Sequence, residues 1–309
     1  MKNTIILLLT LIFSIQSSNA QVKEYFADNG QLVSVGALDG NNSKIGVWKF
    51  YYKNGQLSKT GAYEKSKRNN NWIVYYKNGQ VNKRGKYDYG EEIGKWEYFY
   101  DNGKIQMIKN FDKKGIANGE AKFYRRNGQF KIIGDNKDNK RVNEWKFYHE
   151  NGQLERIGNY DANEKHTGEW KFYYKSGQLS GIGNMNTGKQ VGEWKGFYED
   201  GNLKLVTNFQ TKKKAQLKEY YKSGQLKKNG VISSGKPTGE WKSYHINGTI
   251  YQIRLWNEGK LMDIIICQDD KGNKLNKGTL INGNGTVNRY TSEGKLFITE
   301  TYLNGQKQK

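Results

Sequence analysis

Lysine comes closest to forming a chemical pattern in this chain. Lys49, Lys122, Lys146, Lys171, Lys195, Lys218 and Lys242 each stand six residues before a glycine of a recurring series, in seven of nine full units. Ile73 and Glu97 fill the other two places. Stacked units would align these ammonium groups in a ladder able to attract a polyanion, such as anionic lipid or envelope polysaccharide. The same lysines would also keep an exposed sheet face solvated and guard it against aggregation. A net charge of +21 and a pI of about 9.6 suit both readings.

The other reactive residue types form no constellation. His149, His166 and His245 are the only histidines and lack metal-ligand spacing; His149 and His245 occupy places held by tyrosine in other units. The adjacent acids Glu91-Glu92 and Asp269-Asp270 would point to opposite faces of a strand, which is poor for paired acid–base work, and read as solvated connectors. Cys267 is the one cysteine, inside the apolar run Leu261–Cys267, and reads as a small buried hydrophobe. Gly283-Asn284-Gly285 has neither a Walker lysine pattern nor a following helix, so it reads as a hairpin turn. The expectation is a protein without catalytic residues, cofactor or metal, and not an enzyme.

A repeat positions the lysines. Gly30, Gly55, Gly79, Gly103, Gly128, Gly152, Gly177, Gly201, Gly224 and Gly248 follow one another at 23 to 25 residues. A fixed period of this length marks a repeat array. Seven residues before the glycine stands Trp48, Trp72, Trp96, Trp145, Trp170, Trp194 or Trp241; four before it stands an aromatic; two after it stands an apolar residue. Aromatic-rich runs flanking Asn-Gly signal a β-hairpin. A type I′ turn at Asn54-Gly55 would set Tyr52 opposite Leu57 and Trp48 opposite Gly61, and likewise Trp170 opposite Gly183, so that each indole covers a glycine across its own hairpin. Trp96, Trp194 and Trp241 would face Lys109, Thr207 and Arg254 instead. Alternation would place Trp48, Phe50, Tyr52 and Leu57 on one face and Lys49 and Tyr51 on the other.

The unit GVWKFYYKNGQLSKTGAY, residues 46–63, resembles the bacterial variant of the MORN repeat, and the resemblance covers roughly residues 22–256. Residues 278–305 look like degenerate copies, and Ala121 and Leu217 depart from the pattern where tryptophan is expected. The resemblance implies a ribbon of β-hairpins that serves as an interaction scaffold. Some eukaryotic members associate with lipids and some bacterial ones are described as antitoxins.

Lys2, the apolar run Ile5–Ile15 and the small-residue ending Ser18-Asn19-Ala20 read as a signal peptide over residues 1–20. The chain is therefore expected to be exported, to the periplasm, the outer surface or the medium. Export argues against a nucleic-acid partner. It also argues against a cytosolic antitoxin-like neutraliser, the alternative that the resemblance suggests. The expected fold is all-β: an elongated single-layer antiparallel sheet of about ten stacked hairpin repeats over 21–256, then irregular C-terminal capping hairpins over 257–309. The expected function is an exported, non-catalytic scaffold for a protein or envelope partner.

Overall fold

A computed structural model describes residues 20–308. The signal-peptide segment lies outside the described residues, except for Ala20. The described residues contain no helix; 21 antiparallel strands belong to one open sheet and three short ones form a second. Two compact units divide the chain, one running to Ala117 with Arg126–Gly128, the other comprising Asn118–Arg125 and the residues from Gln129 onward. Eight strands, from Gln21–Phe26 to Ile105–Phe111, make up the first unit, each pairing with the next. In the second, thirteen strands from Gly119–Tyr124 to Lys260–Cys267 do the same.

The tips differ from the expected type I′ turn. Gly55 N donates to Tyr52 O at 2.9 Å and Tyr52 N to Gln56 O at 2.8 Å. Gly55 has φ +82°, while Asn54 stays out of the left-handed region. The loop is therefore Lys53-Asn54-Gly55, a type I turn closed by a glycine bulge. Asparagine is there for its amide: Oδ1 of Asn78 accepts Gln80 N at 3.1 Å, and its Nδ2 donates to Asp101 O on the next tip at 2.8 Å. Leu57 consequently sits opposite Tyr51, not Tyr52, and shares its face. Phe50 pairs with Lys59, so Ser58 is an extra residue that restores the register carrying Trp48 to Gly61.

Type I′ geometry occurs at the opposite edge, where one hairpin hands over to the next. Lys65 and Ser66 have φ +47° and +62°, Tyr89 and Gly90 +44° and +106°, Asp138 and Asn139 +52° and +65°. Three longer connectors there begin with aspartate, at Asp39, Asp112 and Asp161. Asp39 Oδ1 accepts Asn41 N at 2.9 Å and Ser43 N at 2.8 Å; Asp161 does the same for Asn163 and Lys165. These carboxylates satisfy turn amides.

The strand pairing of every repeat tryptophan is the expected one: Trp48 with Gly61, Trp72 with Gly85, Trp170 with Gly183, and Trp96, Trp194 and Trp241 with Lys109, Thr207 and Arg254. The ring itself, however, leans the other way. A Cβ built on Gly36 would lie 2.2 Å from the Trp48 ring, and one on Gly61 2.2 Å from Trp72. Gly85, Gly134, Gly158, Gly183 and Gly230 are covered in the same way by Trp96, Trp145, Trp170, Trp194 and Trp241. Trp170 thus covers Gly158, and Gly183 belongs to Trp194. Each indole lies on the strand before its own, across the connector rather than across the tip. This makes the rule uniform, since the three tryptophans that face no glycine in their own hairpin have one upstream. Six of the seven indoles also donate Nε1–H to the carbonyl just after that glycine, at 2.9–3.2 Å. Trp170 Nε1 is buried without a partner.

The C-terminal segment adds a second layer. Lys260–Cys267 still pairs with Ile250–Asn257. After it, Gly285–Tyr290, Leu296–Leu303 and Gln306–Lys307 form the small sheet. Leu280, Val287 and Tyr302 pack on Leu261, Ile264 and Cys267 in a mainly aliphatic core. Backbone bonds from Leu261 N to Gly305 O, Gly283 N to Met262 O and Leu275 N to Cys267 O occupy the free edge of the last strand.

Candidate functional site

The two faces of the sheet offer different chemistry. On one, Lys122, Lys146, Lys171, Lys195, Lys218 and Lys242 fall into a single register row across the second unit. Lys122 pairs with Ile133, which pairs with Lys146; the row continues through Ile157, Lys171, Ile182, Lys195, Val206, Lys218, Asn229 and Lys242 to Ile253. Lysine thus alternates with a mostly aliphatic residue, whose side chain the lysine stems can shelter. Lys49, in the first unit, lies opposite Thr60.

The row is not a plain cationic stripe. Lys122, Lys146, Lys171 and Lys195 are bonded to Glu120, Glu144, Glu169 and Glu193, two residues earlier on the same strand, at 2.7–3.0 Å. Those hydrogen bonds hold the ammonium pKa of Lys122, Lys146 and Lys171 above the usual range. The spacing was visible in the sequence as the recurrent Glu-Trp-Lys, but a lysine-only count overlooks it. Tyr124, Phe130 and Tyr148 flank the row on the same face, with ring centroids 4.9 and 5.9 Å apart.

On the other face cations lie over the tryptophan layer. Lys44 Nζ is 4.5 Å from the Trp48 ring centroid, Arg68 is 5.0 Å from Trp72 and Arg141 is 5.0 Å from Trp145. Sequence reasoning missed them, although each stands four residues before its tryptophan. Glu92 is no solvated connector. It accepts Lys83 Nζ at 2.8 Å and the hydroxyls of Tyr87 and Tyr98 at 3.0 and 3.1 Å. Burial, then the Glu92 charge, pushes both tyrosine pKa values up. Asp269 also has a turn role: its Oδ1 accepts Lys271 N and Asn273 N.

His149 and His245 do what tyrosine does elsewhere. Tyr52, Tyr76 and Tyr174 donate a hydroxyl to the carbonyl of Tyr75, Phe99 and Phe197, one unit downstream, at 2.6–2.7 Å. Nε2 of His149 meets Tyr173 O at 2.9 Å and that of His245 meets Gln268 O at 3.0 Å. Because a carbonyl only accepts, each Nε2 carries the proton. Among the described residues no cluster of three or more His, Cys, Asp or Glu could hold a metal ion.

Residues 44–65, 92–113, 141–162, 167–186 and 190–211 each match the model of the MORN repeat variant. The chain is a MORN repeat protein. Each matched MORN repeat contains one indole of the tryptophan layer: Trp48, Trp96, Trp145, Trp170 or Trp194. The hairpins of Trp72 and Trp241 lie outside those stretches and share the indole-on-glycine geometry. No curated protein matches the chain. Among solved structures, the crystal structure of TcdB2-TccC3-TEV aligns over 93% of this chain and 20% of its own, at 11% identity and a TM-score of 0.18. TcdB2-TccC3 without its hypervariable C-terminal region aligns over 93% and 18%, at 12% identity and a TM-score of 0.19. This chain spans about a fifth of the length of either.

Proposed function

We propose that this MORN repeat protein is an exported, non-catalytic scaffold and that the lysine-bearing face is its binding surface. The observation that carries this reading is the single row of six lysines, alternating with mostly aliphatic residues over consecutive strands of the second unit. A repeated face can engage an extended partner through many weak contacts in register. Because glutamate accompanies four of the lysines, the row is better matched to a polypeptide of mixed charge than to a uniform polyanion. Anionic lipid or envelope polysaccharide is the weaker alternative. The leader-like segment Lys2, Ile5–Ile15 and Ser18-Asn19-Ala20 argues against the alternative of a cytosolic antitoxin-like neutraliser.

The test compares two variants of equal net charge. In one, Lys146, Lys171 and Lys195 become Gln; in the other, Lys137, Lys140 and Lys189, which flank connectors, are changed in the same way. Each is used to capture partners from envelope extract and to bind vesicles of anionic lipid. Loss of a protein partner with the first triple only supports the proposal. Equal loss with both reduces the row to bulk charge, and binding that is strong on vesicles and steeply salt-dependent favours the polyanion reading. N-terminal sequencing from the native cell should begin near Gln21; intact protein retaining Met1 in the cytoplasm overturns export.

A further inference from the structure

Where the C-terminal sheet meets the last hairpins, a cavity of about 650 Å³ is lined by Lys228, Trp241, Tyr251, Arg254, Trp256 and Arg289, among others. Its volume suits a small-molecule ligand. Arg254 stands opposite Trp241, where most hairpins with a tryptophan have glycine. Its Nε and Nη2 both donate to Gln252 Oε1, at 3.0 and 2.7 Å, and among the described residues no carboxylate pairs with it. Gln252 is itself buried and held by Asn288 O and Cys267 Sγ, so the guanidinium is fixed by a neutral partner.

Arg289 is only loosely neutralised. Its Nη1 lies 3.7 Å from Glu300 Oε1, an oxygen that Lys307 already approaches at 2.9 Å, and its Nε is buried without a partner. Glu219 is the one acid in the lining, and Lys227 and Lys228 claim it at 2.7 and 3.6 Å. Burial, then the neighbouring Arg289, pushes the Arg254 pKa down. The cavity is partly open, and unpaired charge in such a partly buried site is still costly unless a counter-charge arrives. Two guanidiniums offer planar donor pairs suited to carboxylate or phosphate.

We propose that this cavity binds a small organic oxyanion, a carboxylate or phosphate carried on a ring-sized body, with Arg254 and Arg289 as its anchors and Tyr251 and Trp256 as its walls. The site shares only Lys242 with the lysine row, and none of the lysines replaced in the test of that row lines it.

Calorimetric titration of the full mature chain at low salt tests this with three probes of similar size: glucuronate, glucose 6-phosphate and glucose. Binding of one acid or both, with no glucose binding, is expected, and the preferred acid identifies carboxylate or phosphate as the group recognised. Arg254→Gln and Arg289→Gln should each weaken that binding roughly tenfold or more, as for loss of a charge-assisted hydrogen bond. Arg289→Lys, which keeps the charge and loses the fork, should fall between, and Lys189→Gln should bind as the unaltered chain does. Melting curves without ligand identify any variant that fails to fold; the remaining arginine variant then decides. Glucose binding equal to the acids, no binding of either acid at millimolar concentration, or unaltered affinity in a folded arginine variant overturns the proposal.

Discussion

The ladder of hairpins and the C-terminal cap solve the same problem in opposite ways. Among the described residues no second layer covers Trp48, Trp72 or Trp96, yet all three are essentially inaccessible to solvent. Each lies flat on a glycine of the preceding strand under a side chain such as Lys44 or Arg68. The cap instead buries Leu261, Ile264, Leu280 and Val287 between two sheets. A ladder unit is held by its neighbours, so it can be repeated but not isolated. Layered packing needs no repeat, and around Gln252, Arg254 and Arg289 it encloses polar groups that the open ladder leaves to water.

The largest expected effect is on the ladder. Trp72→Ala should cost roughly 3–5 kcal/mol in chemical denaturation, as for a large buried aromatic. Gly61→Ala should also be costly, because its methyl would lie 2.2 Å from the Trp72 ring. In the Trp72→Ala background the same glycine change should cost almost nothing; additive effects would show that ring and glycine are not a pair. Hydrogen exchange should quicken around residues 57–75 and leave the cap protected.

The converse experiment sharpens the contrast. Ile264→Ala should cost about 2–5 kcal/mol through the cavity it leaves, with faster exchange confined to the cap and the last hairpins. Loss of protection as far as Lys140–Tyr148 would mean that the cap and the ladder of the second unit unfold as one.

Acidity should affect the cap more than the ladder. Burial tends to raise the Glu300 pKa, but Lys307, Tyr302 and Arg289 outweigh it and hold it below the usual carboxylate range. A folded pKa below the unfolded one gives stability that is present above the unfolded value and is lost as pH falls through the folded one. The cap should therefore loosen as acidification goes below the ordinary glutamate pKa, and Glu300→Gln should remove that dependence at a cost of about 1.5–3 kcal/mol near neutrality. Retention of the full pH dependence in the variant would assign it to other acids.

The smallest effect belongs to the ladder surface. A double-mutant cycle on Glu144 and Lys146 should give a coupling below about 1 kcal/mol that fades with salt, as for an exposed pair. A larger, salt-resistant value would mean that the lysine face is less open than the half-exposed side chains indicate.

Strand existence and central register were legible because alternation and the fixed period point the same way in every unit. Turn chemistry was not. Asn-Gly suggests type I′, but Gly55 alone takes the left-handed conformation, since Asn54 is held by its own amide contacts. Nor was the indole's lean, because strand pairing specifies which residues are opposite and not where a ring lies. A trace of it was still in the chain. Where tryptophan gives way to Ala121, the residue twelve before is Lys109, and Leu217 pairs with Thr207 rather than with a glycine. Tryptophan and its glycine disappear together. The lysine row was legible as a column, and its glutamates stood beside it as Glu-Trp-Lys, overlooked only by counting lysines alone. The arginine cavity was not legible, because its lining comes from different columns and from the cap.

The lean of the indole also places the seams of the molecule. Read as text, the repeat begins and ends at the connectors, and the Asn-Gly tip is its middle. Energetically the indivisible piece runs from one tip to the next, for example from Gly55 to Gly79, because only that interval keeps Gly61 with Trp72. Splicing at tips can lengthen or shorten the array by whole units with every ring still on its glycine. A splice at a connector would divide each pair and leave a bare glycine on one fragment and an uncovered tryptophan on the other.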